Sequence, residues 1–199
     1  MDLDAILRQP FRWPKAGDKL FAPAAEWHGN AVIAHHPDSR LVLMMTGYKK
    51  AGDVLVREAM DDRAVRDVLV FPIIFNYRQF IELSLKYILS AYGPSVGIAA
   101  IWDSHSLAKL WAEVLKVFEG YGARDGDGTE QAVGELIAEF DKVDPRSFAY
   151  RYPVDTRGHP TDIAFEQVDL SALADVIGGL DGFFTGCDGY LDRMRSAGP

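Results

Sequence analysis

The sequence predicts an all-α fold: a compact antiparallel bundle of four to five main helices behind an irregular N-terminal extension. Three observations carry that expectation. Apolar residues recur every three to four positions in five separate stretches, the spacing of a helix with one buried face. Glycine and proline clusters, Gly93-Pro94 and Gly120 to Gly122 among them, punctuate those stretches where helices stop. Internal repeats, sustained heptads and low-complexity tracts are lacking, which leaves neither a solenoid nor a coiled coil.

Taken in order, residues 1–45 read as the extension and 46–199 as the bundle domain. Pro10, Pro14 and Pro23 among Phe11, Trp13, Phe21 and Trp27 make 1–29 irregular after a first turn or two of helix, with the aromatics pinning it onto the body. Around His35 to Arg40, a hairpin on a Pro-Asp turn and a loop feeding a helix are both open readings. Tyr48, Ala51, Leu55 and Ala59 predict a helix through about Met60. Pro72 suits the first turn of a helix running to about Ala91. Asp103 or Ser104 should cap the next, whose stripe is Leu107, Leu110, Trp111, Val114, Leu115 and Phe118. Thr129 should cap a fourth, with Val133, Leu136, Ile137 and Phe140 inward, and 144–160 reads as an ordered irregular connection.

The last helix should run from about Leu170 to Arg195, with Leu173, Val176, Ile177, Leu180, Phe184, Cys187, Leu191 and Met194 buried. Gly178, Gly182 and Gly186 lie every fourth residue along it. Either another helix approaches that ridge closely, or the segment breaks near Gly178-Gly179.

Composition narrows the function classes. The chain has 199 residues, 48% of them hydrophobic and 25% charged, as expected of one folded domain. A net charge of −8 opposes generic nucleic-acid binding but permits a local basic groove. Cys187 stands alone, which excludes an internal disulfide and a cysteine-rich zinc site. The acidic N-terminus does not read as a signal peptide, and no apolar run reaches the roughly 18 residues of a spanning helix. The expectation is therefore a cytoplasmic protein without a membrane partner.

Three segments could carry chemistry. Arg78, Glu82 and Lys86 lie four residues apart on one face of the second helix, as either a solvated ion-pair row or the wall of a polar groove. His105 and Lys109, one turn apart at the start of the third helix, are the natural suppliers of the opposite wall. The positive helix end there favours a neutral imidazole, fit for a hydrogen bond or for general-base work. Between Asp144 and Arg157, aromatics alternate with Arg146, Arg151 and Arg157. Arg151 and Asp155 could reach the Arg78 row as a structural ion pair, or the arginines could bind a phosphate or carboxylate. His28, His35 and His36 do not form a ligand spacing, so neither a metal nor a cofactor is expected. Dinucleotide, Walker, His-Glu-x-x-His and Gly-x-Ser-x-Gly signatures are absent.

The Phe-Pro-Ile-Ile-Phe-Asn-Tyr-Arg run ending at Arg78, Glu82 to Lys86, His105-Ser-Leu-Ala-Lys-Leu-Trp111 and the Asp144-Pro to Asp155 loop resemble bacterial proteins of the HEPN type, the higher-eukaryote and prokaryote nucleotide-binding superfamily. The resemblance spans roughly residues 46–155. It implies a bundle of four or five helices, dimerisation, and nucleotide or RNA transactions in defence or toxin–antitoxin settings. Active HEPN ribonucleases carry Arg-x4-6-His, a spacing found on no predicted helix here; Arg151 and His159 are seven residues apart, and Gln79 follows Arg78. The expected protein is thus a homodimeric binding or regulatory module, weakly catalytic or non-catalytic, with a nucleotide, RNA or protein partner. Its candidate ligand site is Arg78, Glu82, Lys86, His105, Lys109, Arg151 and Asp155. A divergent metal-independent endoribonuclease or nucleotide-transferring enzyme, with His105 as base, and a structural interaction module are the alternatives.

Overall fold

The computed structural model describes residues 12–123 and 125–197. Among them are five α-helices: α1 (Pro37–Asp61), α2 (Arg66–Tyr92), α3 (Leu107–Gly120), α4 (Thr129–Val143) and α5 (Leu170–Ala197). No strand occurs among the described residues beyond the isolated bridge of Val154 with Pro160. The all-α bundle expected from apolar spacing is the architecture observed.

The chain divides into two units, one ending at Ile33 and the other beginning at Ala34. In the first, Asn30 closes a turn by accepting from the Ala24 amide at 2.7 Å and donating to the Ala24 carbonyl at 3.1 Å. Trp13, Phe21 and Trp27 are exposed. The first turn of helix expected before Pro10, together with Pro10 and Phe11, lies outside the described residues.

Of the two readings around His35 to Arg40, the loop feeding a helix is the one adopted. Pro37 takes the first helical position after an extended His36, so α1 begins eleven residues before Tyr48 and the bundle unit starts well before residue 46. Pro72 likewise lies inside α2 rather than in its first turn, because Arg66 to Phe71 continue the helix upstream. The proline deprives the Val68 carbonyl of its helical donor, and Val68 is exposed, leaving that carbonyl to water.

Helix α2 is the centre of the bundle, packing against α1, α3 and α5, while α4 packs on α3 and α5 on α1. Its Tyr77, Phe80, Ile81, Leu85, Ile88 and Leu89 are buried, and they meet Leu107, Leu110, Val114 and Phe118 of α3 and Ile177, Leu180 and Phe184 of α5 in one core. Close approach of α1 to α2 depends on Gly52, where an added Cβ would lie 2.4 Å from Cε1 of Tyr77. Helix α3 ends as glycine placement predicted: Gly122 is left-handed (φ 75°), and the Ala123 amide turns back to the Phe118 carbonyl.

Helix α5 is continuous, and a Cβ at Gly178, Gly182 or Gly186 would meet nothing within 4 Å. Neither a break nor a close helix contact therefore explains the glycine ridge; those glycines face open space. Val176 and Met194, expected inside, lie on the exposed side of the same helix. By length and composition alone, Arg66–Val96 and Leu170–Ala197 are each long and apolar enough to cross a bilayer, which corrects the expectation of no such segment. In α2 that apolarity serves the bundle core.

Candidate functional site

The charged row of α2 is buried, not solvated. Arg78 is 0% exposed, Glu82 2% and Lys86 5%. Glu82 holds the centre: Oε2 accepts from Arg78 Nη1 at 2.8 Å and Oε1 from Lys86 Nζ at 2.9 Å. The remaining donors go to backbone carbonyls of the connecting segments. Arg78 Nε reaches the Asp144 carbonyl at 2.9 Å, Arg78 Nη2 the His105 carbonyl at 2.7 Å, and Lys86 Nζ the Trp102 carbonyl at 3.1 Å. Buried carbonyls outside helices need donors, and the row supplies them. Burial by itself would raise the Glu82 pKa, but the hydrogen bond and charge of Lys86, the hydrogen bond of Arg78 and the charge of His105 hold it below the usual carboxylate value.

His105 joins this row, as the sequence suggested, but from a different position. The N-cap of α3 is Ser106, whose Oγ accepts from the Lys109 amide at 3.2 Å; Asp141 of α4 adds a carboxylate oxygen 2.6 Å from the Leu107 amide. Asp103 and Ser104 are thus too early for the cap. His105 precedes the helix, so the helix-dipole argument for a neutral first-turn imidazole does not apply. Its Nδ1 sits 3.0 Å from Glu82 Oε1 while the side chain is 59% exposed. Lys109 is exposed, and its ammonium has no partner among the described residues.

Arg151 and Asp155 do not reach the Arg78 row. Arg151 donates from Nε to the Ser147 carbonyl at 2.6 Å and lies over the rings of Phe75 (5.7 Å) and Tyr152 (5.5 Å). Asp155 closes its own loop: Oδ1 accepts from the amides of Arg157 (2.7 Å) and His159 (2.9 Å). Those amide bonds, from His159 first and Arg157 next, lower its pKa. Gln79 is spent on Ser147 Oγ at 2.8 Å. Asp144 instead is the residue that meets Arg78, with Oδ2 3.6 Å from Nε while Oδ1 accepts from the amides of Phe148 and Ala149.

Beneath the 144–162 connection lies a polar pocket of about 680 Å³, lined among others by Lys142, Arg146, Asp155, Arg157, Thr156, Thr161 and Asp162. Lys142, Arg146 and Arg157 are exposed, and none of their cationic groups has a partner among the described residues. Two of the lining carboxylates are committed elsewhere: Asp144 to Arg78 and to loop amides, Asp155 to its own turn. The amides that bond Asp155 do not neutralise it, so the pocket presents three unpartnered cations against Asp155 and Asp162, a small net positive charge. Alternating arginines in the sequence had marked Arg146 and Arg157; Lys142, at the end of α4, carried no local signal because only the fold turns it toward them.

Other reactive groups are quiet. Burial, with the charge of Glu130, pushes the Cys187 thiol up to about 12, which keeps it protonated near neutrality. No group of three or more potential metal ligands forms among the described residues. The chain matches no protein-family model, no curated protein and no solved structure.

Proposed function

We propose that the protein is a HEPN-like binding or regulatory module that takes a phosphate-bearing ligand, a nucleotide or an RNA end, in the pocket of Lys142, Arg146 and Arg157. One observation carries this reading: these cations surround a polar pocket with no partners of their own, whereas every nitrogen of Arg78 is consumed inside the fold. A charge-assisted hydrogen bond to phosphate contributes about 1.5–3 kcal/mol, so two or three of them support millimolar affinity, reaching micromolar only at the top of that range. Arg78 and Lys86 serve as ties between helix and loops rather than as anion clamps.

The test is equilibrium binding of labelled nucleoside mono-, di- and triphosphates and a short RNA at low salt, comparing wild type with Arg146→Ala/Arg157→Ala and checking folding by thermal melts. Binding that the folded double variant loses at least tenfold supports the reading. Wild-type protein that takes up none of the probes, or a variant that binds as well, refutes it.

A second reading rests on His105. Its Nδ1 is oriented by a buried carboxylate and its ring is more than half exposed, the arrangement that leaves Nε2 able to accept a proton in RNA cleavage. Cleavage of a mixed RNA pool by wild type that is abolished in His105→Gln favours this enzyme reading over the binding module.

A further inference from the structure

A second pocket, separate from the cationic one, lies where the bundle leaves its helices unpaired. Helix α4 packs on α3, and α5 packs on α1 and α2. The space between α4 and α5 is an apolar cleft of about 300 Å³, at the lower end of small-molecule pockets. Leu136 and Phe140 come from α4, Leu173, Val176 and Ile177 from α5, and Ile74 of α2 forms part of the lining. An apolar recess of this size, reachable from solvent at the 40% exposed Val176, is a place where burial of a hydrocarbon gains free energy.

The charges on the lining select the ligand. Glu139 and Asp169 are its charged groups; no lysine, arginine or histidine contributes. Glu139 is exposed and its carboxylate has no partner among the described residues. Asp169 spends Oδ1 on the amides of Ser171 and Ala172 at the start of α5, leaving Oδ2 open. The positive end of α5 offsets about half a charge there, so with two full carboxylates the lining stays net negative. A fatty acid or other apolar anion would meet repulsion on entry, whereas an apolar cation would not.

We propose that the α4–α5 cleft binds a small molecule with an alkyl or aryl body and an ammonium end, the body against Leu136, Phe140 and Ile177 and the ammonium at Glu139 and Asp169. This assignment is independent of the cationic pocket. The test titrates octylammonium, octanol and octanoate, all below micelle formation, into full-length protein labelled at isoleucine, leucine and valine methyls, with affinity read from the methyl shifts. Octylammonium should bind tightest and octanoate weakest, with the saturating shifts centred on Ile74, Leu173, Val176 and Ile177. Glu139→Gln should lower the preference of octylammonium over octanol by roughly two- to fivefold, the range of one partly exposed ion pair. Val176→Trp, which fills the cleft from an exposed position, should abolish binding of all three; Ala172→Phe repeats the block from a second exposed position should the first variant fold poorly. Equal affinity for octylammonium and octanoate, shifts centred elsewhere, or undiminished binding in a folded blocking variant would overturn the proposal.

Discussion

Replacing Glu82 by glutamine keeps the side chain's shape and removes the one anion that Arg78 Nη1, Lys86 Nζ and His105 Nδ1 share at 2.8, 2.9 and 3.0 Å. Removing one partner from a buried ion pair costs about 3–5 kcal/mol, mostly because the opposite charge stays buried and uncompensated. Arg78 keeps Asp144 Oδ2 at 3.6 Å, which places the expected loss near the lower end, about 3 kcal/mol. With a urea dependence of about 2 kcal/mol per M, the unfolding midpoint should fall by about 1.5 M. The pH dependence has a definite sign. The Glu82 pKa is lower in the folded protein than its ordinary 4.5, so the unfolded chain binds this proton more readily. The stabilisation is present in full above the unfolded value and is lost as pH falls through the folded one. Urea titrations at pH 7 and at pH 3 should therefore show a wide gap between wild type and Glu82→Gln that narrows in acid. A midpoint shift at pH 7 below about 0.3 M, or a gap of equal size at both pH values, would refute the reasoning.

Glycine substitutions at two kinds of site should move stability in opposite directions. Gly52→Ala gains up to about 1 kcal/mol of helix propensity but drives a Cβ to 2.4 Å from a Tyr77 ring held by its hydroxyl bond to Asp53, an overpacking cost of about 1–3 kcal/mol. The expected result is a lower thermal midpoint; an unchanged or higher one shows that α1 and α2 separate without cost. Gly182→Ala and Gly186→Ala place a methyl in open space on a helix and should each stabilise by about 0.5–1 kcal/mol, read as a rise in thermal midpoint. A fall would mean that the ridge is occupied in solution.

What was legible in the sequence follows the range of the forces involved. Helix identity depends on contacts within four residues, so the stripe of α3, its glycine stop and the inward face of α5 at Ile177, Leu180 and Phe184 could be read directly. The same locality placed Arg78, Glu82 and Lys86 on one face. It could not say whether that face was wet, because the carbonyls that receive Arg78 and Lys86 come from Trp102, His105 and Asp144, 16, 27 and 66 residues away. A helical wheel shows a charged stripe identically whether water or a loop covers it.

Helix ends were less legible than helix middles, since an end depends on which side chain finds the orphan amides. Ser106 and Asp141 cap α3 together, and Asp141 is brought there by α4. Tertiary structure alone also decided that Arg151 and Asp155 stay apart from the α2 row, and that Lys142 meets Arg146 and Arg157 around one pocket. By itself the sequence determined which stretches coil into helices and which faces carry charge, both set by neighbours along the chain. Only the fold determined which of those charges are spent on distant backbone and which remain free for a ligand, because desolvation depends on atoms that the chain brings near from elsewhere.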